Sequence, residues 1–153
     1  MKFTLLVGGE AGQGVAQTAE VFGKTLTRMG YYVFNYRDYQ SLIRGGHNFN
    51  AVTVSDEPVM SHEDKYDVII AMNEETLKKH GKNLKKGGTI ISGEKVDVER
   101  ILKELKAKPI VGNSVFLGAL MRYLKLGTKE MERVMKEEYK EYARVNIEAM
   151  RRG

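Results

Sequence analysis

The feature that most restricts this chain is an apolar run closed by glycines and followed at once by a helical period. Phe3-Thr4-Leu5-Leu6-Val7 has the length and apolarity of a buried strand, and Gly8-Gly9-Glu10-Ala11-Gly12-Gln13-Gly14 closes it. Val15, Ala19, Phe22 and Leu26 then recur at spacings of four, three and four, one face of a helix expected over Gly14 to Met29 and ended by Gly30. A strand that enters a helix through a glycine loop is the start of an α/β unit.

The rest of the chain repeats the alternation. Tyr31 to Tyr36, rich in aromatics, reads as a second strand, and Arg37 to His47 lacks a period and reads as a structured loop. Asn50 to Val54 alternates as a strand, turned by Asp56-Glu57-Pro58. Tyr66 to Met72 is apolar throughout, as a central strand is. Asn73 is placed to cap a short helix with Glu74 and Glu75 in its first turn, where the helix dipole favours acids. Gly87-Gly88 is expected to turn into a strand at Thr89-Ile90-Ile91, Val98 to Leu105 to form a helix, and Pro109-Ile110-Val111 a last short strand. Asn113 is expected to cap a helix carrying Phe116, Leu117, Leu120, Met121 and Leu124. Residues 128–151 read as one or two helices with Met131, Met135, Tyr139 and Tyr142 on one face. No linker or repeat interrupts the chain. The expectation is one α/β domain over residues 1–153, a mostly parallel sheet with helices on both faces, Rossmann-like.

The glycine loop is the sharpest chemical feature. A helix start offers unpaired N–H groups and a positive dipole end, which favour a phosphate or carboxylate. Gly12, Gln13 and Gly14 are the residues expected to present those groups. The dinucleotide fingerprint fails at its third position, where Gln17 stands, and a P-loop fails because Val15-Ala16 follows Gly14. An anion site, a contact surface and a purely structural tight turn all remain open on the residues alone. In the second loop, Arg44 beside Gly45 and Gly46 is able to present a guanidinium to a phosphate or a partner carboxylate, or to pair with Asp38 and shape the loop. His47 reads as a hydrogen-bonded loop residue, and His62 and His80 show no metal-ligand spacing with it or with each other.

Composition excludes several classes. The chain has no cysteine, so it holds no disulfide, no Cys-ligated zinc and no Cys-held iron–sulfur cluster. Net charge is +5 from 25 basic and 20 acidic residues mixed along the chain, without the basic-aromatic runs of a nucleic-acid binder. No apolar stretch approaches the ~20 residues of a membrane span. The N-terminus leads straight into a strand, and the cytoplasm is the expected compartment.

Gly8-Gly9-Glu10-Ala11-Gly12-Gln13-Gly14-Val15 resembles the first motif of the γ subunits and domains of 2-oxoacid:ferredoxin oxidoreductases, of pyruvate, ketoisovalerate or 2-oxoglutarate type. Ser41-Leu42-Ile43-Arg44-Gly45-Gly46-His47-Asn48 with Val54-Ser55-Asp56-Glu57-Pro58-Val59 resembles the second. Asn113, Leu117, Gly118 and Ala119 are similar to a later helix-start pattern, and Asn146, Ala149 and Gly153 to a C-terminal one. Each motif is weak, but their order covers nearly the whole chain. The resemblance implies membership of a complex that converts a 2-oxoacid and coenzyme A to an acyl-CoA, CO2 and reduced ferredoxin. Thiamine diphosphate and iron–sulfur clusters then belong to other subunits, and no cofactor is expected on this chain alone. The γ-type domain is associated with assembly and with closing over coenzyme A, which makes coenzyme A phosphates the natural anion for Gly12 to Gly14 and Arg44 to Gly46. The partners implied are the other subunits, and ferredoxin through them, with self-association as a further contact and neither nucleic acid nor membrane expected. An indolepyruvate-type subunit and a stand-alone nucleotide- or anion-binding module are the alternatives.

Overall fold

The computed structural model describes residues 1–39 and 46–153. They form five strands and six α-helices: β1 (Lys2–Glu10), α1 (Val15–Arg28), β2 (Tyr32–Tyr39), β3 (His47–Ser55), β4 (Tyr66–Ala71), α2 (Glu74–His80), β5 (Leu84–Ser92), α3 (Val98–Leu105), α4 (Gly112–Tyr123), α5 (Lys129–Tyr139) and α6 (Ala143–Arg152). Two compact units result, Met1–Ile90 and Ile91–Gly153.

The sheet has the order β2-β3-β1-β4-β5. β1 pairs parallel with β4, from Leu5 opposite Val68 to Gly8 opposite Ala71. β3 runs antiparallel to both β1 and β2. Strands β1, β2 and β4 therefore point the same way and β3 alone among these four is reversed, so the carboxyl ends of β1 and β2 lie at one edge. Register assigns the faces, because successive side chains alternate. Phe3 and Leu5 stand beside Val54 and Val52 on the face covered by α1, where Phe3 meets Phe22 with ring centroids 6.1 Å apart. Leu6 stands beside Ala51 and Ile69 on the other face, in a cluster that takes in Leu77 of α2. Helices thus cover both faces. The α1 stripe read from the sequence, Val15, Ala19, Phe22 and Leu26, is buried throughout, and burying each large apolar side chain stabilises the fold by about 1.5–3 kcal/mol.

Asn73 caps α2: its side-chain oxygen accepts from the Thr76 N–H at 3.1 Å and the Thr76 hydroxyl at 2.7 Å. Other expectations are corrected. Gly87-Gly88 lie inside β5, not ahead of it; a Cβ on Gly88 would stand 2.9 Å from the Asp67 carbonyl oxygen, so the pair permits close backbone approach. Pro109–Val111 is a 3-10 turn with its proline at the first turn, where a missing N–H costs nothing, and it runs straight into α4. Asn113 consequently lies within the first turn of α4 and is not its cap. The segment after Thr128 is two helices, α5 and α6, joined by a 3-10 turn over Lys140–Tyr142. Met131 and Met135 are fully buried there, but Tyr142 is 62% exposed because the break takes it off the apolar stripe.

In the second unit α4 is buried on nearly all sides. It crosses α6 so closely that a Cβ on Gly118 would stand 1.8 Å from the Met150 carbonyl oxygen. Asn146 of α6 is buried there, accepting the Ser114 hydroxyl at 2.6 Å and donating to the Tyr142 carbonyl at 2.9 Å, so a polar residue on the apolar face has its partners.

Candidate functional site

The loop between β1 and α1 is closed by its own atoms. The Glu10 N–H donates to Gln13 Oε1 at 2.6 Å, and the Gln13 N–H donates back to the Glu10 carbonyl at 3.0 Å. Gly12 and Gly14 take left-handed backbone, with φ of 96° and 78°, which a side chain would strain. Gly8 serves another need: a Cβ there would stand 2.5 Å from Thr76 Cγ2 of α2.

This loop borders a cleft of about 320 Å³ over the first turn of α1. Gly12, Gly14, Val15, Ala16 and Gln17 form its helix side. Arg37, Asn48 and Asn50 reach it from β2 and β3, with Glu10 and Asp38 also in its lining. The antiparallel pairing brings these residues together, since Arg37 lies opposite Asn50 and Gly9 opposite Asn48. Gly14 caps α1 with no side-chain hydrogen bond, and no acid stands in the first turn. The first intrahelical bond described is Thr18 N–H to the Gly14 carbonyl at 3.0 Å, so the N–H groups before it have no helical acceptor. Asn50 donates to Asn35 Oδ1 at 2.9 Å. Asn48 Oδ1 is buried without a hydrogen-bond partner among the described residues, an acceptor in want of a donor.

Of the residues expected from the sequence, Gly12 and Gly14 line the cleft. Gln13 does not: its N–H is used by the Glu10 carbonyl and its side chain closes the loop, so it shapes the cleft and offers no backbone donor to it. Gly46 ties the two loops together, its carbonyl accepting the Ala11 N–H at 2.7 Å. Arg44 and Gly45 lie outside the described residues. Arg37, Asn48 and Asn50 escaped the sequence reading, because Arg37 fell in a stretch taken for a loop and nothing local tells which strand will pair beside it. The alternation of Asn48 and Asn50 was the one available signal.

Beyond that edge of the sheet sits a second polar group. His47 Nε2 and His80 Nε2 are 2.8 Å apart, a hydrogen bond between β3 and α2, with the rings stacked at 5.0 Å and Phe49 edge-on to His80 at 4.5 Å. Burial is the main cause that lowers both imidazole pKa values, His80 to about 4. His47 Nδ1 is buried with no partner among the described residues. The spacing of the two histidines along the chain gave no sign of this pair. Among the described residues no group of three His, Cys, Asp or Glu is placed to hold a metal ion, and no helix is long and apolar enough to cross a membrane.

A family model described as pyruvate ferredoxin/flavodoxin oxidoreductase matches residues 4–153. The chain is 28% identical over 137 residues to the 2-oxoacid:ferredoxin oxidoreductase subunit alpha of Saccharolobus solfataricus, covering 82% of this chain and 21% of that one. It is 26% identical over 148 residues to the 2-oxoglutarate synthase subunit KorC of Methanocaldococcus jannaschii, covering 85% and 79%. The alpha subunits are far longer; a Sulfolobus one, 35% identical over 80 residues, is spanned over only 13% of its length. In fold, the chain is similar to the γ subunit of keto/oxoacid ferredoxin oxidoreductase from Geobacter sulfurreducens, with TM-score 0.86, 19% identity and coverage of 99% and 94%. It also matches part of the 2-oxoglutarate:ferredoxin oxidoreductase of Magnetococcus marinus, with TM-score 0.88, 21% identity and coverage of 97% and 30%. That structure is described with 2-oxoglutarate, coenzyme A and succinyl-CoA bound.

Proposed function

The chain belongs to the pyruvate ferredoxin/flavodoxin oxidoreductase family, and from that premise we propose that it is the γ-type component of a 2-oxoacid:ferredoxin oxidoreductase. The complex forms acyl-CoA, CO2 and reduced ferredoxin from a 2-oxoacid and coenzyme A, in the cytoplasm, with this chain as one domain that supplies no catalytic group. Thiamine diphosphate and iron–sulfur clusters reside on the other subunits, and this chain helps to hold coenzyme A. The observation that carries this reading is the cleft at the start of α1, which combines helix N–H groups that have no helical acceptor with Arg37 and an Asn48 oxygen that has no partner among the described residues.

Coenzyme A fits both halves of that lining. Its phosphates suit the Gly12, Gly14 and α1 end, where backbone N–H groups and the dipole favour an anion, and Arg37 adds a charge-assisted contact. Its hydroxyl, amino and amide hydrogens suit the Asn48 acceptor. Glu10 and Asp38 repel phosphate, which confines the anionic part to the helix side. Gln13 holds the loop in shape, and the sequence reading assigns Arg44, Gly45 and Gly46 to the same anion.

Arg37→Ala, assayed in the assembled complex, is expected to raise the KM for coenzyme A about tenfold, the scale of one charge-assisted contact, with assembly and the KM for the 2-oxoacid unchanged. Arg44→Ala is expected to act in the same direction. Unchanged coenzyme A kinetics in both variants would remove the ligand role and leave the loop as a contact surface.

A further inference from the structure

The second unit carries a groove that the coenzyme A reading does not use. It lies along the end of α5, the Lys140–Tyr142 turn and α6, and encloses about 720 Å³. Its cations divide into two sets. Arg151 is held by Glu132 through two bonds of 3.0 Å, and Arg152 by Glu148 and Glu104 at 3.1 Å each. Lys136, Lys140 and Arg144 are exposed and have no ion pair among the described residues. Glu141 is the one carboxylate of the lining in the same condition, so an excess of positive charge is left over.

Two further observations set this groove apart from an ordinary solvated helix face. Lys140 sits at φ 49° and ψ −115°, a backbone region that favours glycine. The chain accepts that strain at the position that aims the α5–α6 turn, and it places a lysine there. Ala143 and Ile147 line the groove as well, so an occupant meets apolar side chains as well as charge. Arg144, Ile147 and Arg151 repeat at spacings of three and four along α6, a stripe of about 10 Å at 1.5 Å per residue. A single phosphate spans only a fraction of that length.

We infer that this groove docks an acidic segment of a partner subunit, one with carboxylates flanking an apolar side chain. The inference rests on the reading of the chain as a component of a larger assembly. Charge complementarity selects the occupant. Glu141 and Glu148 stand among the cations, a mixture that suits a peptide with interspersed charges better than the unbroken anionic backbone of a nucleic acid. Such contacts steer association and fix register more than they add affinity, so assembly through them weakens with salt.

The test uses the complex purified from the native source through a tagged full-length chain. A carbodiimide, which joins an amine to a carboxylate without a spacer, is expected to link Lys136 and Lys140 to Asp or Glu residues of one co-purifying subunit. The triple variant Lys136→Glu, Lys140→Glu, Arg144→Glu is expected to keep the far-UV circular dichroism of the parent and to bind the partner subunits about tenfold more weakly. Links at other lysines but none at these two, or a folded triple variant that assembles as well as the parent, would overturn the groove while leaving the subunit reading intact. A parent chain that assembles with nothing would overturn both. Displacement of the partner by a single-stranded polynucleotide bound in the groove would also refute it, by showing the surface to be a nucleic-acid site.

Discussion

At the scale of single residues, the His47–His80 contact carries the clearest pH dependence. The hydrogen bond needs a bare nitrogen facing an N–H, and burial penalises a charge on either ring. Lys79 lowers both values further, while Asp38 of β2 opposes for both rings and Glu75 of α2 for His47. A base whose folded pKa lies below its unfolded value resists protonation in the folded state. The unfolded chain takes up the proton near pH 6.5, so the folded chain is favoured fully above that value and loses stability as pH falls towards about 4. The carboxylates with lowered values, Asp56, Glu63 and Glu75, add their losses only below their ordinary range of 3.8 to 4.5. The window from pH 6.5 down to 4.5 therefore belongs to the imidazoles. Urea midpoints measured across it should fall steadily in the parent. In His80→Phe the fall should be shallower, and an equal slope in the two proteins would remove the pair as its cause.

At the scale of elements, helix packing separates two glycines that look alike in the sequence. Gly23 lies inside α1, and a Cβ there would meet Val33 Cγ1 at 3.4 Å, an ordinary contact. Gly118 lies inside α4, where the same atom would stand 1.8 Å from the backbone of α6. Gly23→Ala should stabilise the chain by about 0.5–1 kcal/mol through helix propensity. Gly118→Ala must separate α4 from α6 and should cost at least about 1–3 kcal/mol, the overpacking scale. Thermal melts of the two variants should shift in opposite directions, and a shift in the same direction would mean that the α4–α6 crossing is looser than described. The contrast also shows what the sequence makes legible. Periodicity marked α1 and α3, because each turns one regular face inward, and a continuous apolar run marked β4, which is buried on both faces. It placed a strand at Pro109–Val111 and a cap at Asn113, because a short apolar run reads the same in a strand and in the turn before a buried helix. The glycine loop was legible in the same local way. Arg37, Asn48 and Asn50 were not, since β1–β3 and β2–β3 register bring them to the cleft, and register is set by strand pairing that no local stretch reveals.

At the scale of the whole molecule, the decisive fact is a composition. A chain of 153 residues with no cysteine cannot ligate an iron–sulfur cluster through thiolates. Among the described residues nothing else gathers three metal-ligating side chains. The reaction proposed for the complex oxidises a 2-oxoacid and passes electrons to ferredoxin, so iron–sulfur centres that accept those electrons must lie outside these 153 residues. The purified chain should therefore show no visible iron–sulfur spectrum and iron well below one per chain. It should also fail to reduce a viologen dye with any 2-oxoacid and coenzyme A, and the activity should appear when the other subunits are added. Iron at stoichiometry in the isolated chain, or dye reduction by it alone, would show that the chemistry resides here after all.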